Sequence, residues 1–200
     1  MTLPFDVPSP NDKKTVPSLQ GDEGVYDSTP DGLAKLKPVL EKGPVTYGGQ
    51  THPADGNAGL IVTTPDKAQE LSAGPSVVIR MLGFGLARTE LAHMPQAPVD
   101  AAQRALATAG IHMERMDVIK THNPFAVTDL VFAKETGAKV ECMNHFGCSL
   151  IWGHPQGPTG MRLVTGMIEK LATRGGGNGL LAGCAAGDTA MAVVVQVEEV

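Results

Sequence analysis

The chain has 200 residues, of which 42% are hydrophobic and 18% charged, and its formal net charge is −5. That length suits one domain with a real core, the composition excludes a disordered chain, and the acidic balance argues against a nucleic-acid surface. No apolar run reaches membrane-spanning length, and MTLPFDVPSP lacks a charged-then-apolar leader pattern, so a cytoplasmic protein with no membrane partner is expected.

Residues 1–30 are proline-rich and nearly without periodicity, which predicts an extended arm, with a domain following over 31–200. TPDGLAKLKPVL (29–40) offers a short amphipathic segment stopped by Pro38, and PVTYGG (44–49) a short strand. DGNAGLIVTTPDKAQEL (55–71) reads as small residues, then a strand, then a helix opening near Asp66. PSVVIRMLGFG (75–85) is a strong strand. In APVDAAQRALATAG (97–110), Pro98 stands near the start and Gly110 after the end, the punctuation of a helix. MDVIKTH (116–122) is a strand, and AVTDLVFAKETG (126–137) a helix ended by Gly137. TGMRLVTGMIEKLATRGG (159–176) places Val164, Met167, Ile168 and Leu171 on one helical face. GLLAGC (179–184) and TAMAVVVQV (189–197) are apolar strands close enough to pair antiparallel. The alternation of strands and helices predicts an α/β domain with a mostly parallel sheet covered on both faces.

Chemistry-bearing side chains fall at strand ends and turns. His122 closes MDVIKTH, His154 sits among glycines and prolines in SLIWGHPQGPTG before a helix, and Cys184 closes GLLAGC. Taken singly, a strand-end histidine is more often structural, and a cysteine ending an apolar strand is usually a small buried hydrophobe. CMNHFGC spaces Cys142, His145 and Cys148 by three, but zinc needs a fourth ligand, so no metal site is expected. The three cysteines are too few and odd in number for a disulfide framework. RGGGNG (174–179) lacks the Lys and Ser/Thr of a phosphate loop and follows a helix, so a glycine stop explains it better. LAGCAAGD contains no G-x-S-x-G elbow.

The combination is more specific. GHPQGPTG with His154, followed thirty residues later by Cys184 in GCAAGD, resembles the C-terminal half of a thiolase. RGGGNGLLAGC, DSTPDGLAKLKPVL, VTYGGQTHPADGNAG and MPQAPVDAAQRALATAGIHMERMDVIKTHNPFA are similar to that family in order, from about Asp22 to Val197. The resemblance implies a thiolase-fold C-terminal domain, with a five-stranded mixed sheet covered by helices on both faces. It also implies reversible CoA-dependent cleavage or Claisen condensation of 3-ketoacyl-CoA, with coenzyme A as substrate and no cofactor.

Carried over by motif, His154 is the base for a nucleophilic cysteine and Cys184 the acid/base at the α-carbon. His122, at the start of HNPF, resembles the histidine of the sterol-carrier-protein type of thiolase and is the oxyanion donor. The Ala186 N–H matches a second, backbone donor, in a stretch where the family's glycines are partly replaced. Thr51 aligns with a pantetheine contact, and Trp152, beside His154, and Phe125 are expected to line the substrate site. The N-terminal half, with its C-x-S nucleophile, has no counterpart, and Cys142 and Cys148 stand in the wrong context to replace it. The resemblance therefore implies either a fragment or a subunit of a split, heteromeric thiolase. In the split form a partner bears the nucleophile in an α2β2 assembly, and some relatives also work with a small OB-fold zinc-ribbon protein. A thiolase-fold partner that only stabilises or regulates is the alternative, although a scaffold needs none of the three side chains. A ketoacyl synthase would use two histidines or His–Asn in place of a second cysteine.

Overall fold

The computed structural model of the protein describes residues 5–8, 15–22, 24–72 and 76–200. Elements follow the chain as β1 (Phe5–Pro8), β2 (Thr15–Leu19), α1 (Pro30–Ala34), α2 (Pro65–Leu71), β3 (Val77–Arg88), α3 (Ala97–Ala109), β4 (Val118–His122), α4 (Ala126–Thr136), α5 (Ser149–Trp152), α6 (Thr159–Thr173), β5 (Gly177–Ala185) and β6 (Thr189–Glu199). Within the proline-rich first thirty residues, β1 and β2 pair antiparallel with each other, apart from the main sheet. The rest of that predicted arm lies partly outside the described residues. No helix among the described residues is long and apolar enough to cross a membrane.

The main sheet runs β3-β6-β5-β4. Its β4–β5 pair is parallel, while β5–β6 and β3–β6 are antiparallel. The sheet is thus mixed, and the expectation of a mostly parallel one is corrected. The tight turn after Cys184 folds β6 back onto β5, and β6 then occupies the place beside β3 that a parallel neighbour would need.

Four strands replace the expected five. Residues 44–49 supply only a bridge of Thr46 to Pro38 and a 3₁₀ turn over Tyr47–Gly49. Leu60, Ile61 and Val62 pair with nothing among the described residues, and Ile61 is 80% exposed. Beyond β4, where a fifth strand would lie, a single parallel bridge joins Ile119 to Met143. The chain cannot stay extended there, because Asn144, Phe146 and Gly147 all take positive φ.

Helices α3 and α4 cover one face and α6 the other, so two cores form. Against α3 the contact is unusually close. Ala97, Ala101, Ala102 and Ala105 are fully buried; Gly83 of β3 lies against Ala105 and Ala109, and Gly85 against Ala101 and Ala105. Small residues on both sides let the helix lie almost on the strand backbone. On the other face, Met167 and Leu171 of α6 lie over Gly179 of β5, and Val193, Val195 and Val197 of β6 belong to the same core. Burying a side chain the size of Met167 or Leu171 stabilises by about 1.5–3 kcal/mol. α6 stops in a run of left-handed glycines, Gly175 to Gly177, and Gly176 N–H bonds back to Leu171 O (2.8 Å). These are the glycines of RGGGNG, here a helix stop as expected.

α6 packs mainly on β4, β5 and β6, with Val77 at the start of β3 at the edge of the same core. On the same face, β3 leaves Ile79, Met81, Phe84 and Leu86 about half exposed, beside Met191 of β6. Residues 24–72 add no core of their own, since neither α1 nor α2 buries a residue.

Candidate active site

His122 closes β4, Cys184 stands one residue before the end of β5, and His154 occupies the turn between α5 and α6. The parallel register sets His122 beside Gly183, which puts Cys184 and the imidazole at the same sheet end. There the Cys184 Sγ lies 3.7 Å from His122 Nδ1, and the His122 and His154 rings face each other with centroids 4.3 Å apart. Three residues far apart in the sequence thus meet.

His154 is held from several directions. Its N–H donates to His52 O (2.9 Å), and Arg162 of α6 donates to Gly153 O (3.0 Å), pinning the preceding residue. Gly153 takes a positive φ, and a Cβ there would collide with Ala54 and His52. The glycine of GHP is therefore required both by backbone and by space. Burial, aided by the nearby Arg162, lowers the His154 pKa from the ordinary imidazole value, so the ring is neutral at neutral pH.

His122 is more deeply buried. Burial, reinforced by the neighbouring His154, brings its pKa down to about 4. Its Nδ1 has two possible partners of opposite kind, the Cys184 carbonyl oxygen at 3.2 Å and the Cys184 thiol. With the thiol donating to Nδ1, the neutral ring carries its proton on Nε2. With Nδ1–H donating to the carbonyl, Nε2 is a lone pair. Nε2 itself is buried with no partner among the described residues. Burial pushes the Cys184 thiol up to about 11, so it rests protonated.

The other expected contacts are distributed differently. Ala186 opens the β5–β6 turn, two residues past Cys184, and is exposed. Phe125 caps α4 and bridges Gln50 through its backbone. Thr51 takes up an intramolecular post: its N–H donates to Pro124 O (2.7 Å) and its hydroxyl donates to Ser149 O. The Trp152 indole donates to Phe146 O (2.7 Å) and packs on the Gly147 turn.

The sequence reading missed a polar network behind His122. Asp129 of α4 accepts from the Thr121 hydroxyl, from Asn123 Nδ2 (2.7 Å) and from Asn144 Nδ2 (3.2 Å). Asn123 Oδ1 in turn accepts the Leu150 N–H (3.2 Å), so one side chain ties the turn after His122 to the short helix before His154. Burial raises the Asp129 pKa and those hydrogen bonds oppose the rise. Lys120, only 2% exposed, was also missed. Its ammonium donates to Gly147 O (2.9 Å), burial lowers its pKa, and its side chain runs past Gly166 of α6. Two-residue periodicity puts Lys120 on the His122 face, a signal present in MDVIKTH itself.

Cys148 is buried against Thr121 O, and burial raises its pKa, so it is no nucleophile. The Cys142 side chain lies outside the described residues. Among those described, no group of three His, Cys, Asp or Glu side chains is placed to hold a metal ion.

Residues 75–197 match the thiolase C-terminal domain family. The chain is 33% identical over 172 residues to an acetyl-CoA acetyltransferase of Chromobacterium violaceum, covering 86% of this chain and 43% of that protein. It is 34% identical over 201 residues to a 3-ketoacyl-CoA thiolase of Alteromonas mediterranea, covering 90% and 46%. The fold superposes on the crystal structure of the Bacillus anthracis acetyl-CoA acetyltransferase with a TM-score of 0.86 at 29% identity, over 98% of this chain and 49% of that one. Human mitochondrial 3-ketoacyl-CoA thiolase in complex with CoA gives a TM-score of 0.78 at 26% identity, over 90% and 45%. The chain spans about half the length of the relatives it matches, and by sequence and fold it belongs to the thiolase family.

Proposed function

We propose that this chain supplies His154, Cys184 and His122 to a two-subunit thiolase, and that a partner subunit supplies the nucleophilic cysteine. The observation that carries the reading is the convergence of these three side chains on one sheet end with no reactive thiolate among them. In the cleavage direction, His154 takes the proton of the partner's cysteine, and the thiolate adds to the 3-keto carbon. The C2–C3 bond then breaks, leaving the acyl group on the partner's sulfur and an enolate of acetyl-CoA. Cys184 protonates that enolate, the task a resting thiol is prepared for. Incoming coenzyme A returns a proton to Cys184 and attacks the acyl thioester, and the released cysteine recovers its proton from His154. His122, with its proton on Nε2 and the Cys184 thiol on Nδ1, donates to the thioester oxygen, as does the Ala186 N–H.

A partner also accounts for the apolar surface left open on β3 and around Leu60–Val62. The substrate class is the 3-ketoacyl thioester of coenzyme A, the compartment the cytoplasm, and the assembly α2β2.

The test is acetoacetyl-CoA thiolysis by the chain alone and after co-expression with a thiolase half bearing C-x-S. The chain alone is expected to be inactive and the pair active. In the pair, Cys184→Ala should still load an acyl group on the partner, visible by mass spectrometry, yet fail in condensation. Robust thiolysis by the chain alone, or normal turnover in Cys184→Ala, overturns the reading.

A further inference from the structure

The Thr159 hydroxyl opens α6 with the ring of His154 on one side and the Pro155 carbonyl on the other. It is 3% exposed, so water does not compete for it. His154 Nδ1 lies 2.8 Å from Oγ1, and Oγ1 donates to Pro155 O (2.7 Å). A hydroxyl has one proton. Once that proton is given to Pro155 O, Oγ1 faces the imidazole as an acceptor, and the bond to Nδ1 exists only if Nδ1 carries hydrogen. In the opposite tautomer the hydroxyl must turn to donate to Nδ1, and Pro155 O loses a bond. The Nδ1–H tautomer therefore holds one hydrogen bond more than its rival.

We propose that Thr159 is a positioning residue that fixes neutral His154 as the Nδ1–H tautomer, so that Nε2 stands free as the base. A free imidazole has the reverse tendency, and nothing else bonded to the ring in this structure selects a nitrogen. The use of Nε2 against a partner's cysteine rests on the thiolase reading. The tautomer itself does not, because it is set entirely within this chain.

The experiment is nitrogen-15 NMR of the full chain labelled at histidine, at a pH well above the imidazole range. The His154 resonances are assigned by their loss in His154→Asn. Wild type should show Nδ1 protonated and Nε2 bare. Thr159→Val, which keeps the shape and removes the hydroxyl, should lose that preference, and Thr159→Ser should restore it. In the assembled pair, alkylation of the partner's cysteine should slow at least tenfold near neutral pH in Thr159→Val and recover in Thr159→Ser. An Nε2–H signal for His154 in wild type, or an unchanged Nδ1–H signal in Thr159→Val, overturns the proposal. An inactive pair with the expected tautomers would instead count against the thiolase reading and leave this one standing.

Discussion

At the scale of single residues, the site works by exclusion of water and of charge. Two imidazoles with centroids 4.3 Å apart cannot both be protonated at modest cost, and burial of His122 decides which stays neutral longest. This has a consequence for stability. An unfolded imidazole takes a proton near pH 6.5, whereas His122 resists until about pH 4. Between those values the unfolded state binds a proton that the folded state does not, so stability falls as the pH drops and the loss is complete near pH 4. The fall amounts to about 3 kcal/mol from this group. In His122→Asn the melting temperature should decline less steeply over the same window, and an identical slope would show that His122 is not the group responsible. The three side chains that meet were singled out in advance because His122, His154 and Cys184 sit in short motifs whose spacing resembles that of a family. What was not legible is long-range. Nothing in sequence spacing shows that Asn123, Asn144 and Thr121 all converge on Asp129, since their partnership depends on loops meeting in space.

At the scale of elements, helices and strands with strong periodicity or clear end signals appeared where the sequence placed them. Gly110 and Gly137 both take the left-handed conformation that closes α3 and α4. The misses were short apolar runs whose pairing depends on a neighbour. PVTYGG and the Leu60–Val62 run have strand composition but no strand beside them, and composition alone cannot supply one. Gly83 and Gly85 were read only as part of a strand, yet they set the distance between layers. A Cβ on Gly85 would stand 2.3 Å from Ala101 O and 2.6 Å from Ala105 N, both backbone atoms. Gly85→Ala should therefore force α3 outward and cost about 1–3 kcal/mol or more. Chemical denaturation of the chain checks this, and a loss below about 0.5 kcal/mol, the range of neutral surface changes, would contradict it.

At the scale of the whole molecule, the asymmetry of covering matters most. Phe84 is 59% and Leu86 55% exposed on a face that α6 covers elsewhere. Phe84→Glu should leave the isolated chain's stability within about 0.5 kcal/mol. It should weaken capture of the partner half by roughly tenfold or more, as for loss of a buried aromatic anchor. Titration calorimetry of the two halves separates the outcomes, and undiminished affinity would place the partner elsewhere. The remaining feature is the seam by which residues 24–72 attach. Among the described residues, its hydrogen bonds to the domain run from Thr51 to Pro124 and Ser149 and from His154 to His52, reaching the turn after His122, the start of α5 and the turn of His154. A segment without a core cannot open by halves, so its detachment and the loosening of the turns beside His122 and His154 form one local equilibrium. The amide hydrogens of Thr51 and His154 should then exchange with deuterium at a common opening free energy, below that of the β5–β6 pair. Separate values would mean that the site outlives the seam. A shared value would mean that anything gripping residues 24–72 also tightens the ground on which His154 stands.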